Sequence, residues 1–325
     1  MRPAVAFAAA VASQLTACGG AQLPAASPLA HVAAAPAVDG AGKAIRYRFA
    51  TIDDRADPNF NEVLGLNNES KLVGYYGDGG ASSPNRGFVA HKPYGALNFK
   101  NVDYPHSVDT QVSAINNKGA LGGWYSDQGG RRFGFMELDG IFYSYWDAKA
   151  AKTTKLLAIN DSFVGVGYYV TPSGRKRAFQ VDVAGGKYTD FDPPRAVDAA
   201  ATGITGRGDV AGWLTLSSGK TLGWLLRQGI YTEYSFPHSN TTKFFAVVVH
   251  DWIAGSYVDA AGTTHGFLLT EPLRRAKTVW QKIDDPDAAR GTVVTGLNIH
   301  RDVAGYYVDS DGRTHGFLAV PAGGR

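Results

Sequence analysis

Short runs of alternating apolar and polar residues, each closed by glycine, asparagine or aspartate, fill the chain from Ile45 to Val320. Alternation at a period of two reads as half-buried β-strand. The spacing of a long amphipathic helix is missing, and "DAKAAKTTKLL" after Trp146 comes nearest to it. An all-β chain is predicted. The runs are also copies of one another: "GLNNESKLVGYY", "AINNKGALGGWY", "AINDSFVGVGYY", "GITGRGDVAGWL", "AVVVHDWIAGSY" and "GLNIHRDVAGYY" align on one glycine. These glycines are Gly74, Gly123, Gly167, Gly212, Gly255 and Gly305. Seven positions before each stands the residue that closes the first run: Asn67, Asn116, Asn160, Thr205, Val248 and Asn298. Twelve positions after it five copies carry an aromatic, Phe135, Phe179, Trp224, Phe267 and Phe317, and the first carries Phe88 after fourteen.

Turn-rich stretches such as "SDQGG", "TPSG", "LSSG", "DAAG" and "DSDG" separate the second and third runs, which predicts a hairpin in each copy. A fourth run closes the copy: "FKNVD", "YSYWD", "YTDFD", "YTEYS" and "WQKID", with "YRFATID" ahead of the first copy. Four short strands recurring every 43 to 50 residues match the blades of a β-propeller, so the expectation is a six-bladed β-propeller of four-stranded antiparallel blades. Membrane barrels need strands of about 9 to 11 residues, longer than these runs. The last copy stops on its third strand, Gly316 to Val320, so its outer strand is expected from the other end of the chain. Arg46 to Ile52 should pair with the strand around Phe317 and close the ring.

Composition agrees with short strands and tight turns. Glycine is 40 of 325 residues against a usual ~7%, and charged residues are 19% against a usual ~25%. A net charge of +3, dispersed along the chain, gives no reason to expect a nucleic-acid partner. The start has its own character. Met1 and Arg2 precede an apolar run from Ala4 to Ala12, too short to span a bilayer, and then "LTAC" ending in Cys18, the one cysteine of the chain. Residues 1–18 read as a signal peptide, 19–43 as an Ala/Pro/Gly-rich tether, 44–321 as the propeller and 322–325 as a tail.

Two family resemblances bear on function. "LTAC" resembles the lipobox of bacterial lipoproteins, which implies acylation of Cys18, anchoring in a membrane, and, with Gly19 following, the outer membrane or cell surface. "INNKGALGGWYSDQGGRRFGF", "GDVAGW" and "HGFL" at His265 and His315 resemble the HAF-type extracellular repeats of bacteria. That resemblance covers about Ile45 to Val320 and implies an exported propeller-like protein; it supplies no catalytic residues.

Residues repeated in every copy hold the fold, so function is sought where the copies differ. Asp53, Asp103, Asp147, Asp192 and Asp284, with Ser235 in the sixth place, would suit a ring of metal ligands or a set of turn caps; their place at strand ends favours caps. His265 and His315 read as structural. "DSDG" at Asp309 and Asp311 lacks the remaining ligands of a calcium loop, and "RGD" at Arg207 to Asp209 aligns with an ordinary turn. The loops that enter each inner strand share a face with the hairpins, around the mouth of the central channel. There the copies diverge, with Glu62, Thr110, Gln111, Lys155, Thr242, Lys243 and Thr292 at the strand starts and His106 and His238 in the loops. This asymmetric polar rim suits hydrogen bonding to one polar ligand, a glycan or a protein. Arg131, Arg132, Arg175 and Arg177 at neighbouring hairpins would add a basic sector attracting anionic groups. No metal and no cofactor are expected, and a monomer is. An enzyme, for example a polysaccharide hydrolase or lyase using Glu62 with Asp109 or His106 with His238, is the alternative, although no Ser-His-Asp, Cys-His or zinc spacing supports one. A passive surface assembly protein is the third reading.

Overall fold

The computed structural model describes residues 30–34, 45–183, 185–249, 252–270 and 278–322. The predicted signal peptide with Cys18, most of the tether and the last three residues of the tail lie outside them. Ala30–Ala34 (β1) and Tyr47–Ile52 (β2) precede the repeats. Unit 1 is β3 (Asn61–Leu66), β4 (Leu72–Tyr76), β5 (Arg86–Ala90) and β6 (Phe99–Asn101). Unit 2 is β7 (Asp109–Ile115), β8 (Leu121–Ser126), β9 (Arg132–Leu138) and β10 (Ile141–Tyr145). Unit 3 is β11 (Thr153–Ile159), β12 (Val164–Val170), β13 (Lys176–Asp182) and β14 (Lys187–Phe191). Unit 4 is β15 (Asp198–Ile204), β16 (Val210–Thr215), β17 (Thr221–Arg227) and β18 (Ile230–Ser235), with β1 parallel beside β18. Unit 5 is β19 (Thr241–Val248), β20 (Trp252–Val258), β21 (Thr264–Thr270) and β22 (Val279–Ile283). Unit 6 is β23 (Gly291–Leu297), β24 (Val303–Val308) and β25 (Thr314–Pro321), and β2 is its fourth strand. The fold is all-β, and within each unit successive strands pair antiparallel.

The expected pairing of the two ends is present. Thr51 stands opposite Phe317, and β2 runs antiparallel to β25 from Tyr47–Pro321 to Ile52–Gly316. His315 fastens the end of this latch: Nδ1 lies 2.6 Å from Asp53 Oδ2 and Nε2 lies 3.2 Å from Asp309 Oδ2.

No sheet closes on itself as a barrel; short parallel backbone bridges such as Arg132–Thr153, Thr221–Thr241 and Thr264–Gly291 link neighbouring units, and side chains join them more extensively. The aligned aromatics Phe88, Phe135, Phe179, Trp224, Phe267 and Phe317 are all fully buried, each in a cluster that draws on two neighbouring units. One such cluster joins unit 6 to unit 1, with Ala304 and Leu318 against Val63, Leu72 and Phe88. The repeated asparagines make a belt. Asn67 Oδ1 accepts the Glu69 and Lys71 amides and so holds its own turn, while Nδ2 donates to the Asn116 carbonyl of the next unit at 3.3 Å. Asn116 donates to Asn160 O and Asn160 to Thr205 O, both at 3.1 Å, and Asn298 donates to Asn67 O at 3.2 Å. The belt thus runs from unit 6 through 1, 2 and 3 to unit 4.

Every inner strand carries a bulge at the same place, between Val63/Gly65, Val112/Ala114, Leu156/Ala158, Ala201/Gly203, Phe244/Ala246 and Val294/Gly296. A bulge re-aims the extra residue. Here the extra residues are Leu64, Ser113, Leu157, Thr202, Phe245 and Thr295, and all six line one axial cavity of about 110 Å³. Apolar and hydroxyl side chains alternate around it. The hydroxyls of Ser113, Thr202 and Thr295 donate to Leu156 O, Phe244 O and Val63 O of the following units, at 2.8, 2.6 and 2.7 Å.

Candidate ligand site around the axis

Two residues before each bulge, the inner strands present Glu62, Gln111, Lys155, Ala200, Lys243 and Val293. Opposite them on the second strands stand Tyr75, Trp124, Tyr168, Trp213, Ser256 and Tyr306. Side chains from these twelve positions meet at four of the six unit boundaries, 1 with 2, 2 with 3, 4 with 5 and 6 with 1. Tyr75 bonds to Glu62 within unit 1 and to Gln111 of unit 2, and its phenol is raised by burial first and then by the Glu62 charge. Lys155 Nζ of unit 3 lies 3.5 Å from the centroid of the Trp124 indole of unit 2, and Lys243 Nζ of unit 5 lies 5.1 Å from that of Trp213 of unit 4. Such contacts between a cation and an aromatic face are attractive, more so where water is partly excluded.

The ring has two characters. On one arc the Glu62 carboxyl is pushed up to about 7 by burial, against the lowering effect of the Tyr75 hydrogen bond. Tyr306 beside it is raised by burial and by Glu62. On the other arc Lys155 is brought down to about 7 by burial, with the positive charges of Arg132 and Lys176 adding to the effect. Lys243 is lowered by burial and by Lys176. Perturbed ionisable groups gathered at equivalent positions of neighbouring units mark a candidate functional site.

Of the residues expected at the rim, Glu62, Gln111, Lys155 and Lys243 belong to this ring. Thr110, Thr242 and Thr292 do not, because all three are fully buried and their hydroxyls hold the loop that enters the strand. They accept the backbone amides of Tyr104, Phe236 and Asp285 at 3.0, 2.9 and 3.0 Å. His106 and His238 are exposed turn residues with φ of 63° and 59°, so backbone geometry places them. The basic sector divides. Arg131 is paired with Asp127 at 2.9 Å and Arg177 with Asp192 at 3.0 Å, and Arg175 stands exposed on its hairpin. Arg132, in contrast, lies 5.6 Å from the Trp124 ring centroid, and Lys176 lies 5.9 Å from that of Trp213. The aromatic members were missed, although the alignment on the glycine before them marks each one.

The strand-end aspartates face cations or turns of their own unit. Asp103 meets Arg86 at 3.7 Å, Asp284 meets His265 at 2.9 Å, and Asp147 accepts the Lys149 amide. Among the described residues no group of three or more His, Cys, Asp or Glu is placed to hold a metal. Asp109, the expected partner of Glu62, accepts from the Asn85 amide and from Ser126 Oγ at 3.0 and 2.9 Å. A second cavity of about 590 Å³ opens between units 1 and 2, where Lys71, His91, Lys100, Glu137, Asp139 and Phe142 are among the lining residues. There Lys71 is neutralised by Glu69 at 3.0 Å and Asp103 by Arg86.

No family model matches the chain, and no curated relative matches it. Solved structures with similar folds include TolB from Acinetobacter baumannii, at 11% identity and a TM-score of 0.52 over 77% of this chain and 64% of that one. A gluconolactonase from Xanthomonas campestris matches at 12% identity and 0.50 over 88% and 98% of the two chains. The lectin of Aleuria aurantia, in complex with alpha-methyl-L-fucoside, matches at 10% identity and 0.50 over 82% and 96%. The chain spans about two thirds of TolB's length, and at these identities the likeness establishes a shared fold.

Proposed function

We propose that this chain is a six-bladed β-propeller of the HAF-repeat type, exported and lipid-anchored through Cys18 at the outer membrane or cell surface, that binds an envelope or extracellular glycan at the mouth of its axis. One observation carries the binding reading: six equivalent pairs of facing positions, set by the same strand register in each unit, bear a carboxyl, an amide, two ammonium groups and five aromatic rings. Saccharides are bound through such mixtures of aromatic faces and convergent polar groups on a rigid frame. The similarity in fold to a lectin solved with a fucoside supports the choice of a sugar. Glycan-array binding of the soluble domain, residues 44–325, is expected. The double substitution Trp124→Ala with Trp213→Ala should weaken it at least tenfold, since both indoles belong to the ring. Absence of binding to any glycan, or unchanged binding by the folded double variant, would overturn the reading.

An acid-base role for Glu62 is the second reading, favoured by its elevated pKa alone. It lacks the expected second carboxylate, because Asp109 is held by Asn85 and Ser126. Assembly through apolar patches has less support: the exposed large apolar residues Leu97, Val108, Ile141, Ile230 and Ile299 are distributed over units 1, 2, 4 and 6.

A further inference from the structure

Resting on the reading of the mouth as a glycan site, we propose that its ligand is an acidic sugar, a uronate whose carboxylate sits among Arg132, Lys155, Lys176 and Lys243. These four cations come from units 2, 3 and 5 and gather on two indoles. Lys155 and Arg132 lie over Trp124, at 3.5 and 5.6 Å, and Lys243 and Lys176 lie over Trp213, at 5.1 and 5.9 Å. Among the described residues none of the four makes an ion pair with a carboxylate. Their neighbours on the hairpins and outer loops do: Arg131 with Asp127, Arg177 with Asp192, and Lys149 with Asp190 at 2.6 Å. The like charges act on one another. Arg132 and Lys176 both lower Lys155, and Lys176 lowers Lys243, in addition to the larger effect of burial. Lys155 and Lys243 are partly desolvated with like charges beside them, and an anion seated among the four cations removes that cost.

The same geometry disfavours a purely neutral sugar at this arc. Lys155 covers the indole face on which a neutral pyranose would stack, so stacking would have to displace an ammonium group. The opposite arc is different in kind. Glu62, Tyr75, Gln111 and Tyr306 offer hydroxyl, carboxyl and amide groups that hydrogen-bond to sugar hydroxyls. A ligand with hydroxyls along one edge and a carboxylate at the other fits both arcs at once. An anionic lipid headgroup would use the cations alone and leave the second arc idle.

The test compares oligogalacturonate and oligoglucuronate with their methyl esters, with neutral oligoglucosides and fucosides, and with phosphatidylglycerol vesicles, by calorimetry at pH 6. Variants are Lys155→Gln with Lys243→Gln, and the charge-keeping Lys155→Arg, each checked for an unchanged melting curve. The expected result is binding of an acidic oligosaccharide, at least tenfold weaker for its methyl ester and for the double Gln variant, and retained by Lys155→Arg. Equal binding of acid and ester, equal binding by the double Gln variant, binding of neutral sugars alone, or binding to vesicles without any acidic sugar would overturn the acidic-sugar proposal. The first three of these outcomes leave a glycan site standing. Failure of every glycan, charged or neutral, would remove the glycan site itself.

Discussion

A Cβ added at Gly74, Gly123, Gly167, Gly212, Gly255 or Gly305 would lie 1.9 to 2.1 Å from a carbonyl oxygen of the inner strand. Those oxygens belong to Glu62, Gln111, Lys155, Ala200, Lys243 and Val293, the residues that form the ring. Glycine is therefore the residue that lets the second strand approach, and each candidate ligand group is seated by it. Gly167→Ala should cost about 1–3 kcal/mol of stability by overpacking, read from urea denaturation, and should shift the Lys155 backbone with it. Titration gives a second expectation at this scale. With both Lys155 and Glu62 near 7, lowering the pH from 8 to 6 charges the lysine and neutralises the carboxyl. Both changes favour an anionic ligand, so its affinity should be greater at pH 6 than at pH 8, and calorimetry at the two values checks the sign. The sixfold glycine was legible in the sequence, since only a shared close approach requires it in every copy. The threonines were misplaced because alignment reveals which positions are equivalent and is silent about which way they face.

At the scale of elements, the belt and the inter-unit aromatics divide the work of holding neighbours together. Asn116 satisfies the Lys118 and Ala120 amides and the Asn160 carbonyl with one side chain. Replacing it with Ala leaves buried partners unmade and should cost about 1–3 kcal/mol. Phe179→Ala removes a fully buried ring from the cluster between units 2 and 3 and should cost about 3–5 kcal/mol, again by urea denaturation. Strand order and the hairpins followed from alternation and turn residues. The bulges did not, because an extra residue in an inner strand leaves the repeat length unchanged when every copy has one.

For the whole molecule, closure depends on a strand borrowed from the far end of the chain. Deleting residues 45–52 would uncover Phe317 and the edge of β25, and should lower the melting temperature and broaden the transition. The latch also has a pH dependence. Burial lowers His315, but the hydrogen bonds and charges of Asp53 and Asp309 together raise it above its ordinary 6.5. A raised histidine contributes stability that is fully present below 6.5 and is lost as the pH rises through the folded-state value. Thermal melts of the wild type should therefore fall over that interval, and those of His315→Gln should lose this part of the dependence.

By itself the amino-acid sequence determined the strands, their sixfold recurrence and the pairing of the chain's two ends, because period-two alternation and repeated glycines are local and every copy reports them again. Only the tertiary structure decided which side chains meet around the axis. Lys155 reaches an indole 31 positions earlier in the chain, and Tyr75 reaches Gln111 in the next unit. Those meetings arise from the angle between neighbouring sheets and from the bulges that re-aim the inner strands. Neither leaves a periodic trace along the chain.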